Sequence, residues 1–256
     1  MSMLVAVAAS GRGSNLEALL SALGAGAPAR VVLVLSDRPD APALARASGR
    51  GVPCVTLQDP SDAGEWLRAL EAHAVDLLVL AGYLKLVPAD VIARFRGRII
   101  NIHPALLPGF GGKGMYGRRV HQAVLASGAR ESGATVHLVD EVYDRGPILG
   151  QARVPVLPGD DARSLAARVL EVEHRLLPAA VLAAAAAGRP VPFHEPSGVP
   201  PVTGTSCLAP CSRSATSAGS SLSRRASSSW VGRSSPPAGP PPRFGPPGCA
   251  SSRLTR

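Results

Sequence analysis

The sequence predicts an α/β fold built on a doubly wound, mostly parallel twisted sheet. Three observations carry that prediction. Short apolar runs alternate with helix-spaced segments through the first hundred residues. The runs are continuous rather than alternating, as in strands covered on both faces. Strand-helix-strand repetition implies right-handed crossovers, and ligands in such sheets bind beyond the carboxyl ends of the strands.

Leu4–Ala9 (LVAVAA) reads as the first strand, followed by a Gly-rich turn and a helix from Asn15 to about Leu23. Val31–Leu35 is a second strand, and Pro39–Arg50 begins with turn residues and becomes an Ala-rich helix. Cys54–Leu57 is a short third strand. In Asp62–His73 the apolar residues Trp66, Leu67 and Leu70 have helical spacing. Leu77–Ala81 and Ile99–Ile102 add two strands. Thr135–Leu138 and Leu149–Val156 read as later strands, with an antiparallel direction left open. Ala162–Ala187 reads as a long helix, with Asp160 and Asp161 at its start and Gly188 and Pro190 as its stop.

Composition divides the 256 residues into one folded domain, 1–195, and an appendage, 196–256. The appendage holds seven Arg, no Lys and no acid, so it supplies +7 of the formal charge of +9. The bulk charge therefore does not mark the domain as a nucleic-acid binder. Ser, Pro and Gly make up 33 of the 61 appendage residues. Such a segment cannot bury enough surface to offset its ordering entropy, so disorder is expected. An out-of-frame reading of GC-rich DNA would give the same composition, and both origins stay open. Cys54 is the lone cysteine of the domain, and no CxxC pair or spaced His set suggests a metal. With no signal-like leader and no apolar run long enough to span a bilayer, a cytoplasmic protein without membrane contact is expected.

Three stretches carry chemistry. Ser10-Gly11-Arg12-Gly13-Ser14-Asn15 lies between a strand and a helix. Glycines let the backbone turn tightly, and the helix presents free amides, which together suit a phosphate. It is neither the dinucleotide GxGxxG nor a Walker loop, and an ordinary capped turn explains it equally well. In RIINIHPALLP, Arg98–Pro108, Asn101 and His103 fall at spacing two on a strand that Pro104 ends. A neutral donor beside a titratable ring suits holding an oxyanion and moving a proton, although a lone His at a strand end is more often structural. VDEVYDRGP, Val139–Pro147, is a polar turn with Asp140, Glu141 and Asp144. A carboxylate there would orient an imidazole and raise its pKa, while the plain alternative is a solvated hairpin.

SGRGSN, LAGYLKLVP at Leu80–Pro88, NIHPALLPGFGGKGMYG at Asn101–Gly117, GATVHLVDEVYDRGPIL at Gly133–Leu149 and EHRLLP at Glu173–Pro178 together resemble the phosphoribosylglycinamide formyltransferases of the folate-dependent formyltransferase family. The resemblance covers about residues 3–190. It implies a formyltransferase fold with a Rossmann-like N-terminal half, using 10-formyltetrahydrofolate as co-substrate and no metal. The implied activity is formyl transfer to the amine of 5′-phosphoribosylglycinamide in purine (IMP) biosynthesis. It places the substrate phosphate on Gly13, Ser14 and Asn15, with Glu173 on the same substrate. The folate would lie against Leu84, Lys85, Leu86 and Val87, Asn101 and the backbone around Asp140–Asp144. Asn101, His103 and Asp144 match the catalytic trio, with Thr135 and His137 close by. Asp144 would keep His103 charged. The partners implied are small molecules rather than nucleic acid, and a homodimer stays open.

There are departures from the family pattern. Arg145 and a single Gly146 follow Asp144, Lys85 stands where an Arg is often found, and Ala63 and Gly64 stand where a basic residue is common. Other activities to be separated are formyl transfer to a sugar nucleotide or methionyl-tRNA, and hydrolysis of the formyl-folate.

Overall fold

The computed structural model describes residues 2–194. The expectation of a disordered tail over 196–256 lies outside the described residues. Seven strands form one sheet: β1 (Met3–Ala8), β2 (Ala29–Ser36), β3 (Cys54–Thr56), β4 (Leu77–Leu80), β5 (Ile99–His103), β6 (Glu131–Leu138) and β7 (Ile148–Pro155). Their order is β3-β2-β1-β4-β5-β6-β7. The first five pair in parallel, whereas β6 and β7 run antiparallel to their neighbours. The helices are α1 (Ser14–Ala22), α2 (Pro42–Gly49), α3 (Ala63–Ala72), α4 (Ala89–Arg94), α5 (Arg118–Ala126) and α6 (Ala162–Ala187). The mostly parallel α/β sheet predicted from the apolar runs is the observed one. Neither α4 nor α5 was foreseen: α4 has six residues, and α5 follows a glycine-rich run that hides its start.

Alternate residues along each strand enter opposite cores, the period-two rule at work. Val5, Val7, Leu77, Val79, Ile100 and Ile102 point into a core shared with α1, α5 and α6. Ala6, Ala8, Leu78, Leu80 and Ile99 point the other way, onto Trp66 and Leu70 of α3 and Val91 and Ile92 of α4. Asn101 and His103 share the face of Ile99, and their cross-strand partners His137 and Thr135 share it too. Along β6 the intervening Ala134 and Val136 belong to the α6-side core. The α3-side face of β5 and β6 is therefore polar, and the loops after β5 and β6 meet over it.

The end of the sheet that positions the site is fixed by capping. At α6, Asp161 accepts from the backbone N–H groups of Arg163 and Ser164 at 2.8 and 2.7 Å, while the Ser164 hydroxyl accepts from Asp161 N at 3.0 Å. Only Asp161 is the cap; Asp160 instead pairs with Arg168 at 2.7 Å, which holds its carboxyl well below the usual range. Gly188 ends the helix in the left-handed region at φ 70°. Between β1 and β4 the chain reverses its direction of travel across the sheet. A crevice at such a switch point is the usual ligand site of open α/β sheets.

Candidate active site

The strand ends converge as the sequence suggested. Asn101 Nδ2 lies 3.0 Å from His137 Nε2, and His137 Nδ1 lies 2.7 Å from the Leu138 carbonyl. A carbonyl only accepts, so Nδ1 carries the proton and Nε2 accepts from the Asn101 amide. That uses one of the two Asn101 N–H bonds and leaves the other for a ligand. His103 is arranged in the opposite sense. Its Nε2 donates to the Phe110 carbonyl at 2.8 Å, which turns Nδ1 toward Asp144 Oδ2 at 3.6 Å. The second Asp144 oxygen lies 3.5 Å from His137 Nε2, and Oδ2 also accepts from Gly112 N at 2.8 Å.

Burial decides the charge states here. His103 is 3% exposed, and desolvation lowers its pKa below the ordinary imidazole value despite the opposing charge of Asp144. This corrects the expectation that Asp144 keeps the ring charged: the carboxylate raises the pKa, but loss of water outweighs it. For Asp144, burial pushes upward. Interaction with the neighbouring His137 and His103 rings and the hydrogen bond from the Gly112 amide outweigh it, so the carboxyl titrates below the usual range. The resting pair is thus a neutral imidazole facing a carboxylate, with both acceptors in place for a second proton on Nδ1.

Support for this arrangement comes from Thr135, which is fully buried beneath the site. Its hydroxyl donates to the Ala105 carbonyl at 2.7 Å and accepts from Leu107 N at 3.1 Å and Gln151 Nε2 at 2.9 Å. It fixes the Pro104–Pro108 segment from below rather than lining the cleft. Asp144 has a left-handed backbone at φ 54°, where a side chain is unfavourable. Gly111 allows the facing loop in, because a Cβ there would sit 2.9 Å from the Asp144 Cβ.

A second group of polar residues lies at the start of α1. Gly13 is its N-cap at φ 73°, and a Cβ at that position would come within 2.8 Å of Ala43. No side chain caps the helix, so its first amides are free for an anion. Asn15 is buried, donates to Glu173 Oε2 at 2.6 Å, and has its Oδ1 buried without a partner. Burial pushes the Glu173 carboxyl up to about 7, against the lowering effect of Asn15. An orphaned acceptor and a buried carboxyl beside a free helix N-terminus form a polar socket.

One cleft of about 760 Å³ joins the two groups. It is lined by Gly13, Ser14, Asn15 and Glu173, by Leu84, Lys85, Leu86 and Val87, and by Asn101, His103, Asp140 and Asp144. Every site residue proposed from the sequence therefore borders the same space. Leu84, Leu86, Tyr116, Val142 and Tyr143 are exposed large apolar side chains, and all five line this cleft. A cluster of exposed apolar groups at a cleft suits a flat, partly apolar ligand. Ser10, which the sequence marked only as the start of the glycine turn, ties two walls together: its N–H donates to the Gly82 carbonyl at 3.1 Å and its hydroxyl accepts from Leu84 N at 3.0 Å. His121 was missed, and the Gly112–Gly117 wall, quoted only within the family motif, was given no role, because the sequence held no periodic signal there. Ala63 and Gly64 do not border the cleft. Among the described residues no cluster of three or more His, Cys, Asp or Glu could hold a metal, and no helix is long and apolar enough to cross a membrane.

The model of the formyl transferase family matches residues 3–181. The chain belongs to that family. The chain is 44% identical over 180 residues to the chloroplastic phosphoribosylglycinamide formyltransferase of Arabidopsis thaliana, covering 67% of this chain and 62% of the plant protein, so it spans less than two thirds of that relative's length. It is 46% identical over 188 residues to the Mycobacterium tuberculosis phosphoribosylglycinamide formyltransferase, covering 71% of this chain and 85% of the relative. The crystal structure of phosphoribosylglycinamide formyltransferase from Brucella melitensis superposes with a TM-score of 0.66 at 44% identity, covering 73% of this chain and 97% of that one. The matched span contains both groups of polar residues and the whole cleft.

Proposed function

We propose that residues 1–195 form a domain that transfers the formyl group of 10-formyltetrahydrofolate to the amine of 5′-phosphoribosylglycinamide. The observation that carries this reading is the convergence of an anion socket and a donor-imidazole-carboxylate group on one apolar-rimmed cleft. The names of the relatives support the choice of acceptor. Gly13, Ser14 and Asn15 hold the phosphate, with Glu173 beside them, and Leu84–Val87, Asn101 and the Asp140–Asp144 turn receive the folate.

As the amine attacks the formyl carbon, a tetrahedral oxyanion forms, and the free N–H of Asn101 donates to it. The attacking nitrogen must lose a proton, and the departing folate nitrogen N10 must gain one. His103, neutral because it is buried, takes the proton on Nδ1, where Asp144 stabilises the cation while Nε2–H stays on Phe110. The same proton then passes to N10 as the bond to carbon breaks. His137 keeps the Asn101 amide turned toward the carbonyl. No covalent enzyme intermediate is needed.

Absorbance turnover of the folate co-substrate, with and without the acceptor nucleotide, tests this reading. Release of tetrahydrofolate only when 5′-phosphoribosylglycinamide is present is the expected result. Equal release without an acceptor would identify a hydrolase, and release with only a sugar nucleotide or methionyl-tRNA would move the acceptor class.

A further inference from the structure

Helix α5 begins with two arginines and no acid to answer them. Arg118 and Arg119 occupy its first turn, which contains no Asp or Glu, and the Gly117 N-cap gives its amides no side-chain oxygen. A helix N-terminus is already positive, so cations there are unfavourable until an anion joins them. Among the described residues neither guanidinium is paired with a carboxylate, although eight other arginines are in ion pairs. Arg119 lies over the Tyr116 ring at 5.5 Å. Both arginines are exposed, and both line the cleft.

An independent observation lies one turn further along. His121, three residues beyond Arg118 and on the same helix face, is 4% exposed and lines the cleft. Its ring makes no hydrogen bond to any described residue, and its buried Nδ1 has no partner. Burial, and repulsion from His103 whenever that ring takes a proton, lower its pKa, so the ring is neutral and within electrostatic reach of the catalytic imidazole. A buried polar group without a partner is costly, and a ligand hydroxyl would supply what is missing. Helices α1 and α5 both pack on α6, whose Ala166, Leu170 and Glu173 line the cleft on one face. The Gly13–Asn15 socket and the α5 stripe therefore open onto the same space.

We propose that α5 is the second anchor of the acceptor nucleotide, with Arg118 neutralising its phosphate and His121 hydrogen-bonding a ribose hydroxyl between the phosphate and the amine. Arg118 and His121 are then positioning residues for the reaction proposed above, on which this inference rests. Their effect belongs in KM for the acceptor and not in kcat or in KM for the folate.

Steady-state kinetics with 5′-phosphoribosylglycinamide and with its phosphate-free riboside provide the test, on full-length variants whose thermal melts match the wild type. Arg118→Ala is expected to raise KM for the nucleotide about tenfold or more and to leave KM for the riboside unchanged, while Arg118→Lys recovers most of the loss. His121→Phe is expected to raise KM about tenfold for both acceptors, with kcat within about threefold. Equal losses with nucleotide and riboside for Arg118→Ala, or an unchanged acceptor KM in either variant, overturn the inference. A wild-type protein without nucleotide-dependent turnover defeats the proposed activity instead, so the two failures are distinct.

Discussion

Replacing Glu173 with glutamine isolates the cost of a buried carboxylate. In the folded chain the group titrates near 7, against 4.5 for an ordinary glutamate, because 7% exposure leaves it little water and the hydrogen bond from Asn15 offsets only part of that cost. Below 4.5 both folded and unfolded chains hold the proton and the penalty vanishes. As pH rises toward 7 the unfolded chain ionises while the folded one does not, so stability is lost across that window and levels off above it. At about 1.4 kcal/mol per pH unit the full penalty is about 3 kcal/mol. Glutamine fills the same space, cannot ionise, and can offer an N–H to the orphaned Asn15 Oδ1. Urea unfolding from pH 4.5 to 8.5 should show Glu173→Gln gaining on the wild type by up to about 3 kcal/mol, with the difference growing between pH 4.5 and 7 and constant beyond. A difference that is flat across this range, or that shrinks as pH rises, would refute the reasoning.

Other outcomes follow from single contacts. Thr135→Val leaves the Leu107 amide and the Ala105 carbonyl without their buried partner, and should cost about 2 kcal/mol in denaturant unfolding while Thr135→Ser costs less. Gly13→Ala places a Cβ 2.8 Å from Ala43 at φ 73°; it should lower Tm and raise KM for the acceptor more than for the folate. In a Glu173→Gln background, kcat/KM should fall as pH drops below 6.5, the ordinary imidazole value, because burial lowers the His103 pKa and the base must be neutral. An acidic limb above pH 7 in that background would restore the charged imidazole.

The parts of the site that were legible in the sequence are those fixed by local geometry. A strand puts Asn101 and His103 on one face, a glycine turn frees the amides of α1, and a polar turn carries Asp144. Each is set within a few residues, and the parallel sheet brings the strand ends together. The illegible parts depend on distant packing. Loss of water around His103 reverses the pKa shift expected from Asp144 alone, and spacing contains no measure of desolvation. The raised Glu173 pKa arises from burial, which outweighs the hydrogen bond from Asn15, 158 residues away in sequence. His121 sits in a nine-residue helix behind a run of glycines, where periodicity had too few turns to register. Thr135 looked like a neighbour of the chemistry and proved to be a strut, because register with β7 set Gln151 beside it.

Single-turnover transfer of a ¹³C-labelled formyl group, with the product amide read by NMR, tests the catalytic claim most directly. His103→Ala and Asp144→Asn should stay folded by circular dichroism and bind both substrates, yet transfer the label about 10²–10³ times more slowly than the wild type. Transfer at the wild-type rate by either folded variant would contradict the role given to that imidazole and carboxylate.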